Sequence, residues 1–509
     1  MSMSPLQQPV HILRKDATHL WPEVLVSIAL LAAYAWSETQ TWLPPDGTFN
    51  PVILAVVFLR FLIPIAWLVL ISRLVHDEEL VGDRQFWITR PYTWYSLLLS
   101  KVLFVAVFIC GPFLIMQAWL LHHAGLYPTL LVPAMLKNLL YIAAVFLLPL
   151  FAIAAVTSTF VRYISSALAG LIYFFIVFAF AAYLWPDNLS APYLVYALNL
   201  TILALLIAAT LLQYWRRKTL IARILVAVVP LVVLVFVALV PSNALNSHRY
   251  PNTSTGALVF DPNPMLQQPD GRLFTFRKKV ITNLPVDVQL TGLSDRSELE
   301  VQRYRVTIDG PNNVHYTSGW SPDRASFSAN RKTYVVPVSL PQEVFDRIHN
   351  DAVAVHLQLG TQTLNPGTPY TVTALETPFP LPGHAACTVT SDDGNLECRF
   401  AFRNPTFQSV EATVHSGNCL TPGPQTAPAF AGLAPSLTPF SFSPVEILRA
   451  QLSVGEAKAS LCAGTPATFT PMTEGPYGRL TLDIPAIKLD SYALRIPTKQ
   501  PTPRPEPQP

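Results

Sequence analysis

Long apolar runs dominate the first half of the chain and limit what it can fold into. Seven runs of mostly apolar residues lie before residue 242, each close to the ~20 residues that cross a bilayer core as a helix. They are Val24–Leu43, Pro51–Ile71, Leu97–Leu121, Asn138–Ser158, Ser165–Trp185, Tyr193–Gln213 and Ile224–Val240. The fold class predicted for this half is therefore an α-helical polytopic membrane bundle of about seven transmembrane helices. Six or eight crossings stay open as alternatives.

Charge divides the chain near Pro241. Residues 1–241 hold 13 of the 34 Lys/Arg and 9 of the 31 Asp/Glu, so the first half is charge-poor and the second has the charge density of a solvated domain. Few soluble proteins can bury the apolar surface of a chain that is 51% hydrophobic. The net charge of +3 does not predict nucleic acid binding.

The distribution of Lys and Arg predicts the orientation, because these residues are retained on the cytoplasmic side. With the N-terminus inside, eleven of them fall on inner segments and one, Lys137, falls on an outer loop. Seven crossings then place everything after Pro241 outside, whereas six would leave it in the cytoplasm. We expect a multi-pass protein of the bacterial inner (plasma) membrane, with a cytoplasmic N-terminus and a periplasmic or extracellular C-terminal half.

The second half alternates apolar and polar residues in the period-two pattern of half-buried strands. Val286, Val288 and Leu290 follow this pattern, and one short helix is predicted at Gln342–His349. The predicted fold of this half is an extracytoplasmic all-β, sandwich-like region. We find no Gly-x-Ser-x-Gly nucleophile elbow and no histidines at ligand spacing, so no catalytic residue and no metal site is predicted.

Four cysteines lie in the predicted outer half: Cys387, Cys398, Cys419 and Cys462. An even number in an oxidising compartment predicts two disulfides, although four cysteines allow three pairings. A four-residue hairpin loop at Ser391–Gly394 would place Cys387 directly opposite Cys398, within disulfide reach. Elimination then pairs Cys419 with Cys462. Cys110, in the third predicted helix, is interpreted as a small apolar core residue.

Two polar residues inside the predicted helices are candidates for a translocation cavity. Arg60 lies nine residues into the second helix, where a charge costs about 2.5–3.5 kcal/mol on insertion scales. It should therefore face the bundle interior or a wet cavity. A structural bond to a carbonyl or to a polar side chain such as Gln117, or snorkelling, is the alternative.

The inner loop after the second helix is too polar for the membrane but keeps apolar residues typical of short amphipathic pieces. Its Thr-Arg-Pro stretch ends any helix, since Pro lacks the N–H group and restricts the residue before it. The residues that we single out are His76, Asp77, Glu78, Glu79, Gly82, Asp83, Phe86, Trp87, Thr89, Arg90 and Pro91. The alternative is a solvated charge run.

At these residues the chain resembles bacterial type-2 ABC transporter permeases. Glu78–Phe104 is similar to their corresponding loop in its acidic residue, its Gly-Asp, its Phe-Trp-Ile-Thr-Arg-Pro and its aliphatic run ending in Lys. Pro9–Leu20 resembles the elbow helix of the family, and Thr157–Arg162 resembles its second inner loop. The family has six core helices and carries large outer insertions between the last two. This chain differs, since that loop (Pro186–Pro192) is short and a seventh helix leads to the outer region.

The resemblance implies a membrane-spanning permease subunit of an ATP-driven ABC transporter, export type, coupled through the loop 73–96 to a separate ATPase subunit. It also implies a second permease copy, identical or different, and contact with membrane lipids. The chain has no Gly-x-x-x-x-Gly-Lys-Ser/Thr loop, so we expect no enzyme activity and no cofactor on it, with ATP on the partner subunit. The alternative is a polytopic anchor that presents an outer binding or assembly module and transports nothing.

The predicted organisation has five parts. They are a cytoplasmic N-terminus with an elbow-like helix (1–23), a transmembrane permease domain (24–241), an extracytoplasmic β domain (242–382), a disulfide-containing β domain (383–500) and a Pro-rich tail (501–509).

Overall fold

The computed structural model of the protein divides into two compact units, each built from two separate stretches of chain. Unit 1 comprises Met1–Val240 and Pro369–Thr470, and unit 2 comprises Pro241–Thr368 and Pro471–Pro509. The residues that the structure describes are 7–42, 51–77, 93–184, 192–239, 242–252, 256–260, 281–293, 298–311, 313–327, 332–373, 377–381, 385–389, 396–402, 410–414, 425–428, 442–450, 452–454, 457–459 and 466–491.

Unit 1 begins with a bundle of long helices. They are α1 (Gln7–His19), α2 (Trp21–Gln40), α3 (Pro51–His76), α4 (Trp94–His123), α5 (Pro128–Val156), α6 (Phe160–Leu184), α7 (Pro192–Arg216) and α8 (Thr219–Leu239). In lipid, only helices and closed barrels satisfy every backbone hydrogen bond, so apolar runs of this length form helices. Among the described residues, six helices, α3 to α8, are long and apolar enough to cross a membrane.

The first predicted membrane segment forms one arm of a bent pair. Helices α1 and α2 meet at 74°, and the pair would add a seventh span if it is counted as one. The polar α1 has no acidic residue in its first turn and ends at His19. Single π-helical turns interrupt α4 at Ala106–Cys110 and α5 at Ala143–Leu147.

Unit 1 also contains short antiparallel strands from the second half of the chain. They are β8 (Tyr370–Thr373), β9 (Phe379–Leu381), β10 (Ala385–Val389), β11 (Leu396–Ala401), β12 (Val410–Val414), β13 (Gln425–Pro428), β14 (Val445–Ala450), β15 (Leu452–Val454) and β16 (Ala457–Ala459). Strands β14, β11, β10 and β9 pair in that order, and we call this sheet the capping sheet. Ala386, Ala401 and Val445 of this sheet share one buried core with the helices of the bundle.

Unit 2 starts with the short helix α9 (Ser242–Arg249) and continues as antiparallel sheets. Its elements are β1 (Ala257–Phe260), β2 (Ile281–Thr291), β3 (Glu298–Asp309), β4 (His315–Thr317), β5 (Ser321–Phe327), β6 (Thr333–Pro341), α10 (Gln342–Ile348), β7 (Ala352–Pro366) and most of β17 (Pro466–Lys488). The sheet β1-β2-β6 and the sheet containing β17, β7, β3 and β4 bury their alternating apolar residues in one core. Val288, Ile308 and Leu357 are among its buried members, as period-two alternation requires.

The coarse prediction of fold class is confirmed: a helical N-terminal part with about six membrane-length helices is followed by a region of antiparallel sheets. The short helix predicted at Gln342–His349 is present at Gln342–Ile348.

Candidate functional site

Several helix ends meet at one end of the bundle, where α3 stops at His76, α5 stops at Val156 and α8 begins at Thr219. We call it the basic end, because Lys and Arg gather there. Its described members include Arg73, Lys101, Arg162, Arg216, Arg217, Lys218 and Arg223. Partial burial lowers the pKa of Arg217 from its ordinary value, although a guanidinium remains charged at neutral pH.

A buried ion pair fixes the elbow-like helix to the bundle at this end. The Lys101 ammonium of α4 donates to Asp16 Oδ2 of α1 at 2.8 Å, and the two side chains are only 1% and 4% exposed. Ser96 of α4 also donates to Gln8 of α1 at 3.2 Å. A desolvated pair of charges is tolerated only in good geometry, so this contact sets the position of α1 on α4.

His76 links the end of α3 to the turn between α5 and α6. Its ring lies 3.1 Å from the Thr157 hydroxyl through Nε2 and 2.9 Å from the Ser72 hydroxyl through Nδ1. The Thr157 hydroxyl donates its one hydrogen to the Ile153 carbonyl at 2.9 Å, so it can only accept from His76. This network assigns the hydrogen to Nε2 and leaves Nδ1 to accept from Ser72. The ring also packs edge-on against Tyr163 of α6.

Further polar contacts join the same segments. Asp77 Oδ2 lies 3.5 Å from His19 Nε2 at the end of α1, and Arg73 forms an ion pair with Glu23 of α2. Arg223 of α8 donates to the carbonyl of Val156 at 3.0 Å, where α5 ends. The basic end is therefore held together by directional bonds between α1, α3, α5 and α8.

Of the predicted coupling residues, His76 and Asp77 are among the residues that the structure describes. His76 turns into the bundle, toward Thr157, and Asp77 lies beside His19. The remaining members, Glu78, Glu79, Gly82, Asp83, Phe86, Trp87, Thr89, Arg90 and Pro91, lie outside the described residues. Lys101, the last residue of the family-like pattern, is the buried partner of Asp16.

Arg60 has a partner that sequence reasoning missed. Its guanidinium lies 3.2 Å from Glu38 Oε2 of α2 and 5.8 Å from the centre of the Tyr34 ring. The Glu38 side chain is 7% exposed and that of Arg60 46%. Glu38 lies inside the first apolar run, and its position was the sequence signal for this pair. A buried acid, like Arg60, is costly to insert into a membrane, so two such residues of opposite charge are expected to pair. Gln117, the other cavity candidate, is fully buried, and its amide nitrogen and oxygen have no hydrogen-bond partner in the part of the chain that the structure describes.

The predicted disulfide Cys387–Cys398 is confirmed. The two residues are direct partners in the register of β10 with β11, and their Cα atoms are 4.0 Å apart. This is the pairing that counting outward from the hairpin loop predicts. Cys419 and Cys462 lie outside the described residues. Cys110 is a free thiol in α4.

Two histidines that look scattered in the sequence lie together on the exposed face of a sheet in unit 2. His315 Nδ1 is 2.5 Å from Asp309 Oδ1, and His356 Nδ1 is 2.6 Å from Asp483 Oδ1. His356 Nε2 is 3.5 Å from Asp309 Oδ2. Within the described ranges, no group of three His, Cys, Asp or Glu side chains is placed to hold a metal ion.

Comparison of the chain with family models and with curated proteins gives no match. Among solved structures, it is similar to the crystal structure of red sea bream transglutaminase at 10% identity, over 45% of this chain and 31% of that chain. The TM-score of this match is 0.13, so it carries no argument about fold or function. The chain spans about a third of the length of that protein.

Proposed function

We propose that this protein is the membrane-spanning permease subunit of an ATP-driven ABC transporter, of the export type. A separate ATPase subunit would bind the loop 73–96 at the basic end. The proposal rests on a junction of polar contacts at the basic end. Asp16–Lys101 joins α1 to α4, and His19–Asp77 joins α1 to the end of α3. His76–Thr157 joins the end of α3 to the turn before α6. Three of these residues lie in segments that resemble the permease family: Asp16 in Pro9–Leu20, Lys101 in Glu78–Phe104 and Thr157 in Thr157–Arg162.

The junction gives a physical route for coupling. A partner that binds after Asp77 would displace the end of α3, and His76 would pass this displacement to the start of α6 through Thr157. The buried Asp16–Lys101 pair would pass it to α4 through α1. Directional bonds between buried groups resist independent movement, so the helices would move together.

Two further observations support the orientation in which the basic end is cytoplasmic. Lys and Arg concentrate at this end, as the positive-inside tendency requires. The β region contains the Cys387–Cys398 disulfide, which persists in an oxidising compartment. The β region would then be periplasmic or extracellular, in a protein of the bacterial inner membrane with a second permease copy beside it.

Charge reversal in the loop tests this proposal. The double variant Glu78→Lys/Glu79→Lys should lose co-purification of an ATPase subunit, because two favourable charges become two repulsive ones. Expression and membrane insertion should persist, since neither residue lies in an apolar span. The matched control is Glu343→Lys/Asp346→Lys on the exposed face of α10, which should leave the complex intact.

An ATPase complex that survives the loop reversal unchanged contradicts the coupling role. The polytopic anchor without transport then becomes the better description, and the Asp16–Lys101 and His76 contacts would serve stability alone.

A further inference from the structure

A phenylalanine from the β region of unit 1 lies among the helices of the bundle. The Phe442 ring meets the rings of Tyr34 in α2, Trp67 in α3 and Phe113 in α4, at centroid distances of 6.2, 5.9 and 6.1 Å. Edge-on and tilted arrangements at this range are those that aromatic quadrupoles favour. One side chain thus joins three helices that the sequence separates by many residues. We call Tyr34, Trp67 and Phe113 the aromatic cage.

The cage lies well inside the bundle. At about 1.5 Å per residue, Tyr34 is about 9 Å from the end of α2 at Gln40, and Phe113 is about 15 Å from the end of α4 at His123. These two ends meet, because the rings of Trp42 and His123 are 6.0 Å apart. Phe442 therefore enters from the end opposite the basic end, which we call the capped end.

Hydrogen bonds hold the segment that carries Phe442. The Ser443 hydroxyl is buried and accepts from the Val445 amide at 3.3 Å, and the Phe402 amide donates to the Pro444 carbonyl at 2.6 Å. Strand β14, which follows directly, pairs with β11, and β11 is joined to β10 by the Cys387–Cys398 disulfide. The ring is thus presented by a cross-linked sheet.

The capping sheet also covers the rim of the bundle around the cage. The Arg399 guanidinium lies 5.5 Å from the centre of the Trp42 ring, near the end of α2. Gly125, which follows α4 with a left-handed φ of +81°, lies beside Pro378 and Ala386, since a Cβ placed on it would be in ordinary van der Waals contact with each at 3.6 Å. Contacts at the rim and in the cage place the sheet across the capped end.

We propose that Phe442 is a plug that closes the interior of the bundle at the capped end, and that the capping sheet is the arm that carries it. The contacts of the Phe442 ring are with other rings, so the ring can leave without breaking a buried ion pair. The role of the plug rests on the proposed permease function, since a transporter needs a closed outer end until its substrate is released. Whether Phe442 closes the bundle is tested in an assay that does not require transport.

A cysteine placed behind the cage reports whether the plug is closed. Ser27 is buried and accepts from Trp67 Nε1 at 3.0 Å, about 20 Å from the end of α2. We replace it by the near-isosteric Ser27→Cys in a Cys110→Ala background, with the full chain in lipid nanodiscs and without reductant. The rate of reaction with a charged, water-soluble methanethiosulfonate is measured in the absence of ATP and of any partner subunit.

With Phe442 present, the thiol introduced by Ser27→Cys should react slowly, and Phe442→Ala should raise its rate at least about tenfold, as loss of a local protecting contact does. Phe442→Leu should fall between them. The matched control is Phe402→Ala, which truncates a phenylalanine that directly follows β11 and packs on the same core but lies outside the cage. It should leave the rate close to that of the parent.

Equal rates in the Phe442→Ala variant and its parent overturn the plug, whether both are slow or both are fast. An equal rise with Phe402→Ala also overturns it, because general loosening of the sheet would then be the cause. If Phe442→Ala fails to assemble, Phe442→Leu decides by the same criterion. The assay contains no ATPase, so a failed plug and a failed coupling loop give separate results.

Discussion

The two ends of the bundle are closed by different kinds of contact. At the basic end, charged and polar side chains bond across helices, with Asp16–Lys101 buried and His76–Thr157 partly buried. At the capped end, the Arg60–Glu38 ion pair joins α3 to α2, but the contacts of Phe442 with the helices are ring on ring, and the buried Tyr34 and Trp67 enclose it. Directional bonds between desolvated groups fix one geometry, whereas apolar contacts tolerate repacking.

This difference has a physical consequence for movement. Separating the basic end would leave charges and donors without partners in a low-dielectric environment, which is strongly unfavourable. Withdrawing Phe442 from the aromatic cage at the capped end exposes rings, at a smaller cost that scales with apolar area. If the protein moves, we expect the basic end to move as one body and the capped end to open.

The largest effect should come from breaking the buried ion pair at the basic end. Lys101→Met leaves the Asp16 carboxylate buried without its ammonium, so the free energy of unfolding should fall by about 3–5 kcal/mol. The double variant Asp16→Leu/Lys101→Met should recover most of this loss, because no charge remains to be desolvated. Equilibrium unfolding in detergent measures both. A double variant as unstable as the single one would contradict this account of the basic end.

Removing the disulfide should weaken the capped end next. Cys387→Ala/Cys398→Ala releases a short loop, since the two cysteines are 11 residues apart, and should cost about 3 kcal/mol of stability in the capping sheet. Limited proteolysis of the full chain in nanodiscs measures this loss, and Cys110→Ala is the control. Cleavage that rises in the bundle helices as much as in the sheet would show that the two ends are not independent.

A smaller loss is expected when His76 loses its acceptor. Thr157→Val keeps the side-chain shape but leaves the His76 Nε2–H group without a partner, which should cost about 1–3 kcal/mol. Thr18→Val is the control, because the exposed Thr18 hydroxyl donates to the Lys15 carbonyl at 2.8 Å. Thermal unfolding of the two variants compares them. Equal midpoints of thermal unfolding for Thr157→Val and Thr18→Val would show that the His76–Thr157 contact does not stabilise the basic end.

The smallest effect belongs to the ion pair of Arg73 with Glu23. The Arg73 side chain is 44% exposed, so Arg73→Gln should cost less than about 1 kcal/mol, and the loss should shrink further in high salt. Unfolding measured at low and high salt concentration checks both statements. If Arg73→Gln lowers the free energy of unfolding as much as Thr157→Val does, and salt does not change this loss, then the burial of a contact does not determine its contribution at the basic end.

Local patterns in the sequence predicted much of the fold. Apolar runs near the length of a bilayer core predicted the long helices, since such a run must satisfy its backbone within itself. Alternation predicted the strands around Val286 and Val288, and counting across one hairpin predicted Cys387–Cys398. Each of these features depends on neighbours along the chain. The bend between α1 and α2 and the exact ends of the helices depended on packing.

The sequence by itself determined the long apolar helices, the sheets, the hairpin disulfide and the insertion cost of a charge at Arg60, because hydrophobicity and charge act residue by residue. Only the tertiary structure decided which groups meet: Lys101 with Asp16, Arg60 with Glu38, and Phe442 with the aromatic cage. The desolvation cost of a buried charge can be estimated from the residue type alone. The partner that offsets this cost is identified only when the structure shows which opposite charge lies within bonding distance. Phe442 lies more than 300 positions from each member of the aromatic cage in the sequence. A single apolar residue gives no sequence signal that identifies the residues it packs against.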